Sequence, residues 1–166
     1  PFDKEEETAL NPALGLRAIR YCLAEPQLFL TQLRAILRAS AYGPINLLIP
    51  MMAHAFEIDQ TLTMIEHAKQ QLREAKKKFD QAIKVGAMIE IPAAAFQYTL
   101  AIDRVDHEVA HLYNPLHPAV LQLLSMTISS GAKAGIPVAV CGEIAGDHKL
   151  TRLLLGMGLR EFSMHP

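Results

Sequence analysis

The stretch PVAVCGEIAGD (137–147) carries an apolar run that stops at a thiol, Cys141, and passes straight into a turn rich in Gly, Glu and Asp. It reads as a short buried strand whose carboxyl end opens into a functional loop. Barrels and doubly wound sheets place their chemistry just beyond the carboxyl ends of parallel strands. Two further runs have the same character, INLLIPMM (45–52) and KVGAMIEIP (84–92). The run 45–51 is hydrophobic on both faces, which suits a buried parallel strand better than an antiparallel one.

Helical patterns fill the intervals. Asn11-Pro12 reads as an N-cap and a proline at the first helical position. The helix it opens carries Leu14, Ile19 and Leu23 on one side and stops near Pro26. A second runs through Leu30, Leu33, Ile36 and Leu37 and ends before Tyr42-Gly43-Pro44. Ile58, Leu62, Ile65 and Leu72 recur at helical spacing, predicting a long amphipathic helix over 55–78. A strand is expected over 84–90, a helix over 118–134, a strand over 137–141, a helix over 148–156 and a short strand over 161–164. Helices alternating with short buried strands imply right-handed βαβ units and a parallel sheet.

An open sheet and a closed (β/α)8 barrel both satisfy this alternation. No GxGxxG or Walker-type loop follows any strand, which removes the commonest nucleotide sites of open sheets. The barrel is favoured. A TIM barrel takes about 250 residues, whereas this chain has 166 and four clear strands. The expected fold class is therefore α/β, with the whole chain 1–166 a partial barrel domain. Ala93-Ala94-Ala95-Phe96-Gln97-Tyr98 leaves barely two turns between the strand ending at Glu90 and TLAIDR (99–104). One βα unit is expected to be missing there, at about the 95/96 junction.

Composition bounds the function. Half the residues are hydrophobic (51%) and a fifth charged (20%), as in a soluble domain with a sizeable core. A net charge of -1 disfavours a general nucleic-acid partner. The one basic run, Lys76–Lys78, is expected on the polar face of the 55–78 helix. No apolar stretch approaches the roughly twenty residues that span a bilayer, so membrane insertion is not expected. Two cysteines, Cys22 and Cys141, make neither a disulfide framework nor a zinc site. A reducing cytoplasm is the natural setting, with Cys22 a small core residue.

The runs NPALGLRAIR (11–20), LRAILRAS (33–40), IPMM (49–52), GAMIEIPAAA (86–95), QYTLAIDR (97–104), HLYNPLHPAV (111–120), VAVCGEIAGD (138–147) and LLLGMGLREFSM (153–164) follow one another in a known order. In that order they closely resemble enzyme I of the bacterial sugar phosphotransferase system, in its C-terminal phosphoenolpyruvate-binding domain. Pyruvate phosphate dikinase and phosphoenolpyruvate synthase share the barrel and a related CGE-type loop, and are the close alternatives. The resemblance implies a TIM barrel of the phosphoenolpyruvate/pyruvate type, represented here by its later βα units. It also implies a GTND-type motif between PAAA and QYTLAIDR, with a metal-binding aspartate, and neither is present in this sequence. The family's phosphorylated histidine is expected to lie outside the chain. The isolated fragment is accordingly expected to be inactive.

Phosphoenolpyruvate joins a phosphate and a carboxylate on one small carbon skeleton. Guanidinium forks and a divalent cation held by carboxylates suit such an anion. Arg17 and Arg104 occupy positions where the resemblance implies phosphate-binding arginines. From the residues alone, Arg17 is a helix-surface arginine and Arg104 a salt-bridge partner. Glu90, at the end of a buried strand, is either a rim carboxylate bonded to loop amides or, as the resemblance implies, a Mg2+ ligand. Cys141 is either a packed thiol or, by the resemblance, the acid–base that protonates the methylene carbon of enolpyruvate. A thiol of ordinary acidity, about 8.5, is mostly protonated at neutral pH and can donate. Glu143 and Asp147 are expected to orient the loop, and the seven histidines to be surface or capping residues. The resemblance further implies a homodimer and a histidine-containing phosphocarrier protein as partners in sugar uptake. A non-catalytic dimerisation and substrate-binding module is the competing reading.

Overall fold

The computed structural model describes residues 15–90 and 114–164. They fall into two units that divide between Ala94 and Ala95, each with its own core. The α/β expectation holds in both.

The first unit runs α1 (Ala18–Ala24), α2 (Pro26–Ala39), β1 (Asn46–Ile49), α3 (Ala55–Glu74) and β2 (Lys84–Ala87). β1 and β2 pair in parallel, from Asn46 opposite Lys84 to Ile49 opposite Ala87. Such a pair needs a crossover, and α3 supplies it. Leu33 and Leu37 of α2 meet Ile65, Ala68 and Leu72 of α3 at three- and four-residue spacing, and Leu47, Ile49 and Ile83 complete the buried cluster. The start of α3 is fixed by a reciprocal cap: His54 Nδ1 accepts from Phe56 N, and Glu57 Oε2 accepts from Ala53 N and His54 N at 2.8 and 3.0 Å. In its last turn, Arg73 holds the loop into β2, donating to Glu66 Oε1 and Gln81 Oε1 at 2.8 and 3.0 Å.

The second unit runs α4 (Pro118–Ala134), β3 (Ala139–Cys141), α5 (Glu143–Gly146), α6 (His148–Gly156) and β4 (Glu161–Ser163). β3 and β4 are again parallel, with Ala139, Val140 and Cys141 opposite Glu161, Phe162 and Ser163. Ile128, Val140, Ala145, Leu150, Leu154 and Leu159 form its core.

Four expectations change. The described strands form two separate parallel pairs and no closed barrel. β1 is not covered on both faces within its unit: Leu47 and Ile49 are buried, but Leu48 between them is 58% exposed. The helix expected through Leu14, Ile19 and Leu23 is interrupted at residues 15–17, and α1 begins at Ala18 after an extended Arg17 (φ -148°, ψ 168°). Gly15 opens the break, and a helix-interior glycine costs about 1 kcal/mol relative to alanine. The Asn11-Pro12 cap lies outside the described residues.

The fourth concerns the basic run. α3 stops at Glu74, so Lys76–Lys78 follows the helix instead of riding on it. Lys76 N donates to Arg73 O and Lys77 N to Leu72 O, with Lys76 at φ 52°. This closing turn satisfies orphan carbonyls through a left-handed residue. The same bonding closes α4 and α6, where the left-handed residue is Gly135 or Gly158. Positive charge beyond a helix C-terminus is favourable, but a side chain in that conformation is strained.

Two substitutions test this packing. Lys76→Gly should stabilise the protein by up to about 1 kcal/mol, read as a higher urea midpoint, because glycine adopts the left-handed turn without strain; a lower midpoint would contradict the turn. Gly131→Ala should destabilise by about 1–3 kcal/mol despite alanine's better helix propensity. The added Cβ would strike Val138 Cγ2 and lie 3.0 Å from Ile136 O.

Candidate functional site

Alternation along β3 and β4 decides what their ends present. Val140 is buried and Phe162 packs beside it on the core face. Cys141 and Ser163, one residue further, therefore leave the pair on the opposite face, and both are exposed. They are register partners at the carboxyl end of parallel strands. Gly142 follows at φ 75° and ψ -164°, a combination essentially reserved for glycine. It turns the chain sharply into α5. Asp147 then caps α6, its Oδ1 accepting from Lys149 N at 2.9 Å. The result is an open cavity of about 750 Å3 lined by Cys141, Gly142, Glu143, Gly146, Asp147, Ser163 and Met164.

The first unit places Glu90 just past the carboxyl end of β2, half-buried. Its Oε1 accepts from Met51 N at 2.7 Å. Met51, beyond the end of β1, sits at φ 57°, a strained value for a long side chain. The bond is the rim-carboxylate geometry, and it leaves Oε2 without a hydrogen bond among the described residues. Mg2+ is commonly held by one or two carboxylates plus substrate oxygens. Glu90 fits one such position. No group of three or more His, Cys, Asp or Glu side chains converges among the described residues.

Arg17 is exposed at the N-cap of α1, which packs on α2 and α3. No described hydrogen bond or ion pair joins it to Glu90. Arg104 lies outside the described residues. Cys22 is half-buried against the first core, and desolvation pushes its thiol up from its ordinary value. His54 and His117 cap helices, as expected of them.

Two groups that stand beside the expected site residues were not singled out in the sequence. Ser163 was legible in principle, because aligning the carboxyl ends of two parallel strands brings it opposite Cys141. The Met51 amide left no signal, since a backbone donor carries no residue identity.

The family described as PEP-utilising enzyme, PEP-binding domain, matches residues 2–97 and 96–166. A phosphoenolpyruvate-protein phosphotransferase of Cupriavidus necator is 63% identical over 182 residues, covering 98% of this chain and 31% of that protein. Proteins of the same name from Haemophilus influenzae and Listeria monocytogenes are 43% and 42% identical over 175 residues. Each covers 93% of this chain, which matches 30% and 31% of their lengths. The chain thus spans about a third of the length of these relatives. The 182-residue match is longer than the 166 residues of this chain.

Exposure makes a chemical prediction. Iodoacetamide at mildly alkaline pH should alkylate Cys141 severalfold faster than Cys22, whose raised pKa and packing suppress the thiolate. Peptide mass spectrometry resolves the two, and faster reaction at Cys22 would show that the strand end is covered.

Proposed function

The chain belongs to the PEP-utilising enzymes, through their PEP-binding domain, and from that premise we propose that it binds phosphoenolpyruvate for a protein phosphotransferase. The observation that carries the reading is Cys141, exposed at a parallel strand end above a glycine-turned loop and an open cavity. The names of the three relatives favour a protein phosphotransferase over a dikinase or synthase.

When the phosphoryl group leaves phosphoenolpyruvate, the enolate of pyruvate remains. Cys141 then gives its S–H proton to the methylene carbon. The C=C electron pair forms the new C–H bond, the enolate oxygen becomes the ketone, and a thiolate is left. In the reverse direction the thiolate removes a methyl proton. Arg17 and Arg104 would bind phosphate oxygens through their forked donors. Glu90 would give one oxygen to Mg2+, with a second carboxylate from a segment absent between residues 95 and 96. Bound there, the metal would neutralise charge on the phosphoryl group.

The same proposal includes the finer expectations: a (β/α)8 barrel, a homodimer, transfer through an enzyme histidine to a histidine-containing phosphocarrier protein, sugar uptake and a cytoplasmic setting. Parallel pairing in each unit supports the barrel. The excess length of the 182-residue match, and the family's two matched segments meeting at residues 96–97, support the absent βα unit.

The intact protein, given Mg2+ and labelled phosphoenolpyruvate, should acquire an acid-labile phosphohistidine without ATP; labelling that requires ATP would overturn the reading. Cys141→Ala should slow pyruvate formation by about 10²–10⁴-fold while phosphoenolpyruvate still binds. Glu90→Gln separates the two roles of that carboxylate. It should keep the Met51 bond and the unfolding midpoint but lose Mg2+-dependent turnover, whereas unchanged turnover would leave Glu90 a rim residue only.

A further inference from the structure

We propose that Ser163 contacts the substrate, its hydroxyl donating a hydrogen bond to a carboxylate or enolate oxygen of the three-carbon acid whose methylene carbon meets Cys141. The inference rests on the function proposed above and adds to it a residue that the sequence did not single out. Three observations carry it. Cys141 and Ser163 are opposite one another at the last pair of a parallel register. Parallel neighbours stand about 4.8 Å apart and project on the same side of the sheet. The preceding pair, Val140 and Phe162, is turned into the core, which fixes the side on which thiol and hydroxyl emerge.

The hydroxyl is also available. Ser163 Oγ has no hydrogen-bond partner among the described residues, and the residue is exposed at the wall of the cavity that Cys141 enters. The other serine hydroxyls described in bonds are spent on backbone: Ser40 Oγ donates to Leu37 O and accepts from Asp80 N, and Ser129 Oγ donates to Ser125 O. Nothing in the second core needs Ser163 to be polar. Its neighbour across Gly146 is open too, since a Cβ built on Gly146 would approach only Met164 Cβ, at 3.8 Å. A three-carbon acid fits the geometry. Its methylene carbon and its carboxylate are both bonded to one central carbon, a short span that matches a thiol and a hydroxyl on neighbouring strands. The hydroxyl is the donor that a carboxylate or enolate oxygen requires, and an acceptor-only group in its place would repel both.

The experiment uses the intact protein with three variants, Ser163→Ala, Ser163→Thr and Cys141→Ala. Two readouts are taken: deuterium exchange into the methyl group of pyruvate, and protection of Cys141 from iodoacetamide by phosphoenolpyruvate with Mg2+. Ser163→Ala should lower kcat/KM for exchange about ten- to a hundredfold, the loss expected for one hydrogen bond to a charged group. It should also shift the protection midpoint to higher phosphoenolpyruvate, while the alkylation rate of Cys141 without ligand stays unchanged. Ser163→Thr, which keeps the hydroxyl, should restore most of both. Wild-type exchange and protection in Ser163→Ala, with Cys141→Ala dead, would overturn the role of Ser163 alone. Undiminished exchange in Cys141→Ala, or no protection of Cys141 in the unsubstituted protein, would overturn the reading of the site and this inference with it.

Discussion

Two parallel strands cannot be joined by a tight turn; the chain must leave the carboxyl end of one and return to the amino end of the other. Everything in both units follows from that requirement. Each crossover is helical, α3 in the first unit and α5 with α6 in the second, and each lays an apolar stripe on its strand pair. Both strands of a pair end on the same edge, so the loops that leave β1 and β3 meet the residues that follow β2 and β4. Glu90 reaches Met51 for this reason, and Cys141 faces Ser163 for the same one.

The two strand ends use different devices. At the end of β3, glycine makes the turn, since Gly142 occupies backbone space that other residues enter only under strain. At the end of β1, Met51 takes a left-handed conformation, and a carboxylate from the neighbouring strand binds its amide. Glu57 adds two further amide bonds at Ala53 and His54, so two acidic side chains hold the loop between β1 and α3. A buried or half-buried carboxylate is tolerable when amides satisfy it. That bond satisfies one oxygen of Glu90 beyond the strand end and leaves the other for other work.

Helix periodicity made most of the fold legible. The stripe Leu30, Leu33 and Leu37 was readable from spacing and lies in the core, as do Ile65 and Leu72, whereas Ile58 and Leu62, expected on the same face of α3, are exposed within the unit. Ends of elements were less legible, because they depend on single backbone residues. Lys76 in a left-handed turn ended α3 four residues early, where nothing in the pattern of charged residues distinguished helix from turn. Leu48 illustrates a further limit. Hydrophobicity on both faces of 45–51 signalled double coverage, yet the first unit by itself covers only the Leu47 and Ile49 face.

The sequence by itself determined the α/β class, the strand ends that matter and the family, because motif residues such as those of VAVCGEIAGD are local and survive without knowledge of pairing. It also marked Cys141 at a strand end and Glu90 just past one, although β2 (Lys84–Ala87), expected to be buried and to reach residue 90, is exposed along its length in its unit. Only the tertiary structure decided which groups stand beside them. The register of β3 against β4 set Ser163 opposite the thiol, and the register of β1 against β2 set a backbone amide against the Glu90 carboxylate. Register is a property of two segments distant in sequence, and a shift by one residue would turn every side chain to the other face. No reading of either segment alone contains it.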